Sequence, residues 1–170
     1  MFVAATVAIV AAAAVPQLTA GVERTRAASA ARYLAGRLAF ARALAVARSA
    51  NVAVLVTAGA TSTTALYVDG NGNGVRTRDI DAGIDPLVAP AVRLADLFPH
   101  VVVSLNDPDD TLASDTSALL SFTPAGTASS RTVYLRGRDG SQYAVRVLGA
   151  TGRTRVLRYV ASTRAWLEVL

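Results

Sequence analysis

The segment DGNGNG at positions 69–74 carries the side chains of the first half of a calcium-binding loop. Its alternating oxygen donors are Asp69, Asn71 and Asn73. Gly74 stands where such loops need a sharp turn, but Ile80 replaces the bidentate acid expected at the twelfth position. The other interpretation is a plain turn, in which Asn, Asp and Gly accept positive φ angles. Calcium is therefore one expected cofactor of this loop, and no cofactor at all is the alternative.

A second candidate site is GRTR at positions 152–155, where Gly152 precedes two alternating arginines. In a β-strand, Arg153 and Arg155 project from one face with Cα atoms about 7 Å apart. Neighbouring phosphates of a nucleic-acid strand have a comparable separation, and arginine binds phosphate with paired donors. Arg158 points to the opposite face if the strand is regular. The alternative is that these arginines solvate an edge strand and discourage aggregation.

The distribution of charge supports an anionic partner for the last forty residues. Residues 131–170 contain eight arginines, Arg138 among them, against one aspartate and one glutamate, whereas residues 51–130 sum to −6 and residues 1–50 to +5. A basic tail on an acidic middle favours binding to anions, DNA included. The chain has no cysteine, which excludes disulfides and thiolate metal sites.

The sequence carries no signal of an enzyme. His100 is its only histidine and follows Phe98-Pro99, so we expect it at the start of a strand. No nucleophile–base pair stands near it, and no phosphate-binding glycine loop precedes a helix. We therefore predict a binding or structural protein without catalytic residues.

The elements that position these residues are short strands after residue 50. Apolar runs bounded by turn residues predict strands at 52–57, 64–68, 100–105, 118–122, 132–136, 143–148, 154–159 and 166–169. Asp139-Gly140 stands between two alternating runs and predicts a hairpin. One helix followed by many antiparallel strands predicts an α+β fold, with the β-rich head at 51–170 and the helix on one sheet face.

The first fifty residues predict one long helix in two halves. Residues 1–16 form an apolar half without any charge before Pro16, and residues 17–50 form an amphipathic half. Fifteen helical residues reach roughly 22 Å, less than the ~30 Å of a bilayer core. No basic segment opens the chain, as a cleavable signal peptide would require.

The amphipathic half carries two apolar stripes at helical spacing. The bulky stripe holds Val22, Ser29, Tyr33, Gly36, Phe40, Leu44 and Ala47. The small-residue stripe holds Ala27, Ala31, Leu34, Leu38, Ala41 and Ala45. We expect the bulky stripe to pack on the chain's own head and the small-residue stripe to pack on a close neighbour. The alternative is an ordinary amphipathic helix with an incidental second face.

A long helix, apolar first and then amphipathic with a proline at the join, resembles the type IV pilins and pseudopilins. The F-x-P-x-G stretch at 122–126, the following hairpin and the Gly-Arg motif at 149–155 are similar to the GspH/FimT-type branch. When Pro16 is placed on the family proline, Met1 falls inside the mature helix. The resemblance then implies that the family glutamate and processing site lie upstream of Met1.

The resemblance implies a minor pilin or pseudopilin whose helix packs among the helices of other subunits. In one reading the chain belongs to a type IV pilus and binds DNA for uptake through Gly152, Arg153 and Arg155. In the alternative it belongs to a type II secretion pseudopilus and contacts only protein. A third hypothesis is that the chain is a membrane-anchored calcium-binding domain unrelated to filaments. The expected location is the inner membrane, held through residues 1–15 with a periplasmic head, and afterwards the filament.

Overall fold

The computed structural model describes residues 2–107 and 115–169, with the side chains of the first helix from Thr25 onward. The helices are α1 (Phe2–Arg48), α2 (Thr77–Asp81) and α3 (Leu94–Leu97). The strands are β1 (Val52–Thr57), β2 (Thr63–Val68), β3 (Leu87–Arg93), β4 (Val102–Ser104), β5 (Ser117–Phe122), β6 (Arg131–Arg136), β7 (Gln142–Leu148), β8 (Arg153–Val160) and β9 (Ala165–Glu168).

The first helix is continuous over 47 residues, about 70 Å, and Pro16 does not end it. Alanine, leucine and arginine dominate it, and all three are strong helix formers. It ends where Ser49 adopts a positive φ of 50° and the N–H of Ala50 donates to the carbonyl oxygen of Ala45. The sequence predicts one helix over about the first fifty residues, and the structure has one helix at Phe2–Arg48.

Every strand pairing is antiparallel, and the strands form two sheets. The four-stranded sheet has the order β3-β2-β1-β5, and the five-stranded sheet has the order β4-β6-β7-β8-β9. Helix α1 packs against both, contacting β1 and β5 of the first and β6, β7 and β8 of the second. The predicted α+β class is thus confirmed, but the helix covers two sheets rather than one.

The face of α1 that packs on the head is the small-residue stripe, so the predicted assignment of the two stripes is wrong. Ala27, Ala31, Leu34, Leu38, Ala41 and Ala45 are all completely buried, as is Ala30. In contrast, Phe40 of the bulky stripe is 55% exposed, and Val46, outside the small-residue stripe, is 51% exposed. The helix lies close to two sheets at once, and alanine is the side chain that permits such a close approach.

The observed strands agree with most of the predicted ones and add three elements. Strand β3 was not predicted because Pro90 interrupts its apolar run, and it is an edge strand with two register shifts. Helices α2 and α3 are one turn each and lie in segments without periodicity. His100 does not start a strand as predicted: it has a φ of 66°, and β4 begins at Val102.

Candidate functional site

The Gly-Arg motif begins with a glycine that packing requires. Gly152 is buried with a φ of +61°, and a Cβ placed there would lie 2.2 Å from the carbonyl oxygen of Gly126 and 2.9 Å from Nε of Arg42. That same Nε donates a hydrogen bond of 3.0 Å to the Gly126 oxygen. The F-x-P-x-G and GRTR segments therefore meet on α1, and Arg42 joins them.

Arg42 is a residue that sequence reasoning missed. It lies 84 residues before its partner Gly126, and no local pattern relates the two positions. Gly126 has a φ of +80°, so glycine is needed there as well. Both motif glycines thus have a structural role in docking the two loops on the helix.

The strand register decides which way the arginines of GRTR point. Arg153 pairs with Leu148 and Arg155 with Arg146, on the face of the five-stranded sheet that points away from α1. We call this the outer face. Arg158 pairs with Tyr143 on the side that faces α1, as a regular strand requires. Arg153 is exposed, whereas Arg155 donates to the carboxylate of Glu168 at 3.1 Å.

Arg138 is not close to this pair of arginines. It lies in the hairpin turn that joins β6 to β7, at the Gln142 end of β7. Arg153 pairs with Leu148 at the other end of β7, about 20 Å away along the strand. The structure therefore places Arg153 and Arg155 together and leaves Arg138 at the opposite end of the sheet.

The outer face also carries an aromatic cluster of Tyr134, Tyr159 and Trp166. The ring of Trp166 lies 5.7 Å from that of Tyr134 and 5.3 Å from that of Tyr159, centre to centre, and all are tilted. Beside the cluster is a cavity of about 260 Å³. Its lining residues are Val102, Ser104, Tyr134, Leu135, Arg136, Gln142 and Trp166. Sequence reasoning did not single out Trp166, although it is the chain's only tryptophan.

Tyr134 is held in the cluster by a hydrogen bond at its polar end. Its hydroxyl donates to the carboxylate of Asp107 at 3.0 Å. Partial burial and then this hydrogen bond raise the pKa of Tyr134 to about 12, so the phenol stays neutral and keeps donating. The outer face therefore carries an aromatic centre, with Arg146, Arg153 and Arg155 on the same face.

Two of the three oxygen-donor side chains of DGNGNG, those of Asp69 and Asn71, accept hydrogen bonds from the loop's own backbone. The carboxylate of Asp69 accepts N–H hydrogen bonds from Asn71, Gly72 and Gly74 at 2.7–3.2 Å, and a fourth from the side chain of Asn51 at 2.9 Å. Burial raises the pKa of Asp69, but the hydrogen bonds from Asn51 and the three backbone groups outweigh it, so the net pKa is lowered.

Asp85 closes the same loop from the other side, and sequence reasoning did not identify it. Its buried carboxylate accepts backbone N–H hydrogen bonds from Gly70 and Arg76, both at 3.0 Å. The Oδ1 of Asn71 accepts one from the N–H of Asn73. Within residues 2–107 and 115–169, no group of three or more acidic, His or Cys side chains is placed to hold a metal. Calcium at Asp69, Asn71 and Asn73 stays a prediction.

Gly36 lies on the exposed side of α1, where its hydrogen faces open space, and on each flank of it is a groove between the helix and one of the sheets. One groove, of about 370 Å³, is lined by Ala35, Gly36, Ala39, Arg42, Gly152, Arg153 and Thr154. The other, of about 380 Å³, is lined by Tyr33, Gly36, Arg37, Phe40, Leu66 and Ala89. We call this surface the exposed helix face.

In the part of the chain that the structure describes, none of the helices has the length and apolar character that crossing a membrane requires.

Comparison with known proteins assigns the chain to a family. Residues 30–152 match the family model described as type II transport protein GspH. The chain belongs to the GspH family. Its fold is also similar to that of the minor pseudopilin EpsH from the type 2 secretion system of Vibrio cholerae, with a TM-score of 0.54 and 12% sequence identity. That likeness covers 78% of this chain and 97% of EpsH. No curated protein matches the sequence.

The GspH match confirms the family that the resemblance indicated and shows which residues it rests on. It includes the buried half of α1, the F-x-P-x-G stretch and Gly152. It stops immediately before Arg153, so the two arginines of GRTR and strand β9 lie outside the matched segment. The chain is thus a GspH-type pseudopilin, and binding through Arg153 and Arg155 does not follow from family membership.

Proposed function

We propose that this pseudopilin is a structural subunit of a type II secretion pseudopilus, where α1 packs among the helices of other subunits. This is the alternative that contacts only protein, and membership of the GspH family favours it over a type IV pilus. The observation that carries the proposal is the exposed helix face. The head covers only one side of α1 and leaves Phe40, Val46 and both grooves beside Gly36 uncovered.

The geometry of the exposed helix face suits contact with a second helix. Gly36 has no neighbour within 4 Å of an added Cβ, so a partner's backbone can approach closely there. Small residues at a crossing point allow two helices to pack at short interaxial distance, and the grooves on either flank receive the partner's ridges. Phe40 supplies the large apolar side chain that such a contact buries.

The N-terminal half of α1 completes the proposal. The helix has about 25 residues, some 37 Å, on the N-terminal side of Ala27, the first buried residue among the side chains that the structure describes. Residues 1–15 carry no charge. In the proposed function this half lies in the inner membrane before assembly and in the filament core afterwards, with the head in the periplasm.

The test compares secretion with DNA uptake in a strain from which the gene is deleted. Complementation with the full chain should restore secretion, and Gly36→Leu should not, because leucine fills the space between the two grooves, at a position where an added Cβ meets no atom of the head within 4 Å. Ala161→Leu, at an exposed turn of the head, is the matched control and should secrete normally. Normal secretion in the deletion strain, together with lost DNA uptake, would contradict the proposal.

DNA binding is the second candidate function, favoured by the position of Arg153 and Arg155 on the same side of β8 beside Arg146. Purified protein should then retard duplex DNA, with log affinity falling linearly with log salt. Changing both Arg153 and Arg155 to Gln should remove most of the retardation, whereas Arg138→Gln, at the far end of the sheet, should change it little. Equal retardation by all three proteins would exclude this site.

A further inference from the structure

The two edges of the five-stranded sheet differ in how they are closed. At β4, the N–H of Gly59 donates to the carbonyl oxygen of Val103 at 2.8 Å, so a loop of the same chain covers that edge. At the other edge, β9 pairs only with β8. Within the described part of the chain, no backbone hydrogen bond reaches the open side of β9.

The direction of the free backbone groups follows from one hydrogen bond. The N–H of Val169 donates to the carbonyl oxygen of Val156 at 2.8 Å, so residue 169 faces β8. Because antiparallel strands alternate between neighbours, Leu167 and Ala165 also face β8. Trp166 and Glu168 therefore point their N–H and C=O groups outward, spaced as an added strand requires.

The strand is short, at four residues, but it lacks the other features that usually protect an edge. It has no proline and no bulge, and its only charge, Glu168, is neutralised by Arg155. Leu167 is 52% exposed and Val169 is 44% exposed, both on the side of the sheet that faces α1. By contrast, β3, an edge of the other sheet, contains Pro90 and two register shifts.

Charge around the edge indicates the chemistry of the partner. Arg158 pairs with Leu167, and Arg164 precedes the strand; both are exposed. A second copy pairing through β9 would bring two such sets of arginines to one seam, which like-charge repulsion opposes. An acidic partner strand instead places carboxylates beside Arg158, on the face that carries Leu167, and the alternation then places its apolar side chains against Trp166 on the outer face.

We propose that β9 is a docking edge for an extended segment of another protein, in which apolar residues alternate with acidic ones. The segment adds a sixth strand to the sheet through the backbone groups of Trp166 and Glu168. This goes beyond the proposed function and does not rest on it, because α1 and its exposed face take no part.

The test uses the full chain in mild detergent and the fluorescence of Trp166, the chain's single tryptophan. The probe is a capped octapeptide of alternating valine and aspartate, and its counterpart has lysine for aspartate. The aspartate peptide should shift the Trp166 emission in a saturable way, and the lysine peptide should not. Failure of the aspartate peptide to bind, or equal binding of the lysine peptide, would overturn the proposal.

Two variants at position 168 distinguish the contribution of the backbone N–H of β9 from that of the Glu168 side chain. Glu168→Pro removes an outward N–H without removing a bond to β8, and should weaken peptide binding by about tenfold or more. Glu168→Ala keeps that N–H and loses only the ion pair with Arg155, so it should bind nearly as well as the unchanged chain. Equal affinity of the two variants would contradict strand addition. A shift of the Trp166 emission with protein concentration, in the absence of peptide, would also contradict the proposal, because it would indicate that β9 pairs with a second copy of the chain.

Discussion

The two faces of α1 show how one helix can serve two different contacts. The buried face is built of alanine and leucine without any exposed surface, and the exposed helix face carries Phe40, Val46 and the grooves beside Gly36. Size of side chain does not decide which face is internal. The position around the helix does, because the side that lies against the two sheets carries closely packed alanines together with Leu34 and Leu38.

This difference assigns the two faces separate energetic roles. Changes on the buried face should lower the stability of the head, and changes on the exposed helix face should alter assembly while leaving stability intact. The following experiments test that separation, and each can be followed through the thermal unfolding of the full chain in mild detergent, with Trp166 as the probe.

The largest effect is expected from Leu34→Ala. Leu34 is among the largest completely buried side chains, so its truncation removes apolar burial and leaves a cavity. The free energy of unfolding should fall by about 2–5 kcal/mol. Val46→Ala, on the exposed helix face, is the control, and an equal loss there would break the distinction between the faces.

A matched pair of Ala→Leu substitutions, one on each face of α1, tests the difference between the two faces further. Ala31 is completely buried and Ala39 is exposed. Ala31→Leu forces a larger side chain between helix and sheets and should cost about 1–3 kcal/mol of stability. Ala39→Leu should cost nothing measurable in the same melt. If Ala31→Leu left the melting temperature unchanged, the small-residue stripe would not be the packed one.

Asp69 provides a destabilising change that touches neither face of the helix. Asp69→Ala removes the acceptor of four hydrogen bonds and should cost about 1–2 kcal/mol at pH 7, less than fully buried bonds would. Its folded pKa is lowered, so this stability is present above pH 4 and lost as pH falls through the folded pKa.

Melting curves of the unchanged chain and of Asp69→Ala should therefore converge as the pH falls below 4. The same melts with a chelator address calcium. If the loop is a plain turn, the chelator changes neither protein. A chelator-induced fall in melting temperature that Asp69→Ala abolishes would show instead that the loop binds a cation.

The smallest effect on stability is expected from Phe40→Ala. Its ring is more than half exposed, so the free energy of unfolding should change by no more than about 0.5 kcal/mol. Co-purification with other filament subunits should nevertheless weaken. A melting temperature lowered as far as in Leu34→Ala would place Phe40 in the core and contradict the assignment.

Much of this fold can be predicted from local pattern, because α1 and strands such as β1 and β7 carry clear periodicity. The hairpin at Asp139-Gly140 is confirmed, with Gly140 at a φ of +81°. Strand β3 escapes prediction because Pro90 breaks its run. Periodicity also finds both stripes of α1 but cannot say which one the sheets will cover.

The candidate sites depend more on long-range contacts and are harder to predict. The contact of Arg42 with Gly126 and Gly152 joins three segments that are distant in sequence. Gly152, which the sequence places in a binding motif, is therefore required by the packing of these segments. Asp85 reaches Gly70 across fifteen residues and completes a loop that looked like half of a metal site. Residue types identified the segments, and only the fold shows how their polar groups are used.

The most direct measurement of the central claim is site-specific cross-linking in cells, which the absence of cysteine makes straightforward. Single cysteines at Phe40 on the exposed helix face and at Ser162 on the head are labelled with a benzophenone maleimide and irradiated, so that the photoreactive group captures whatever chain lies against it, with secretion as a check of function. The account predicts cross-links from position 40 to the N-terminal helices of other pilin-like subunits, and none to those helices from position 162. Helix cross-links from position 162 alone would contradict it.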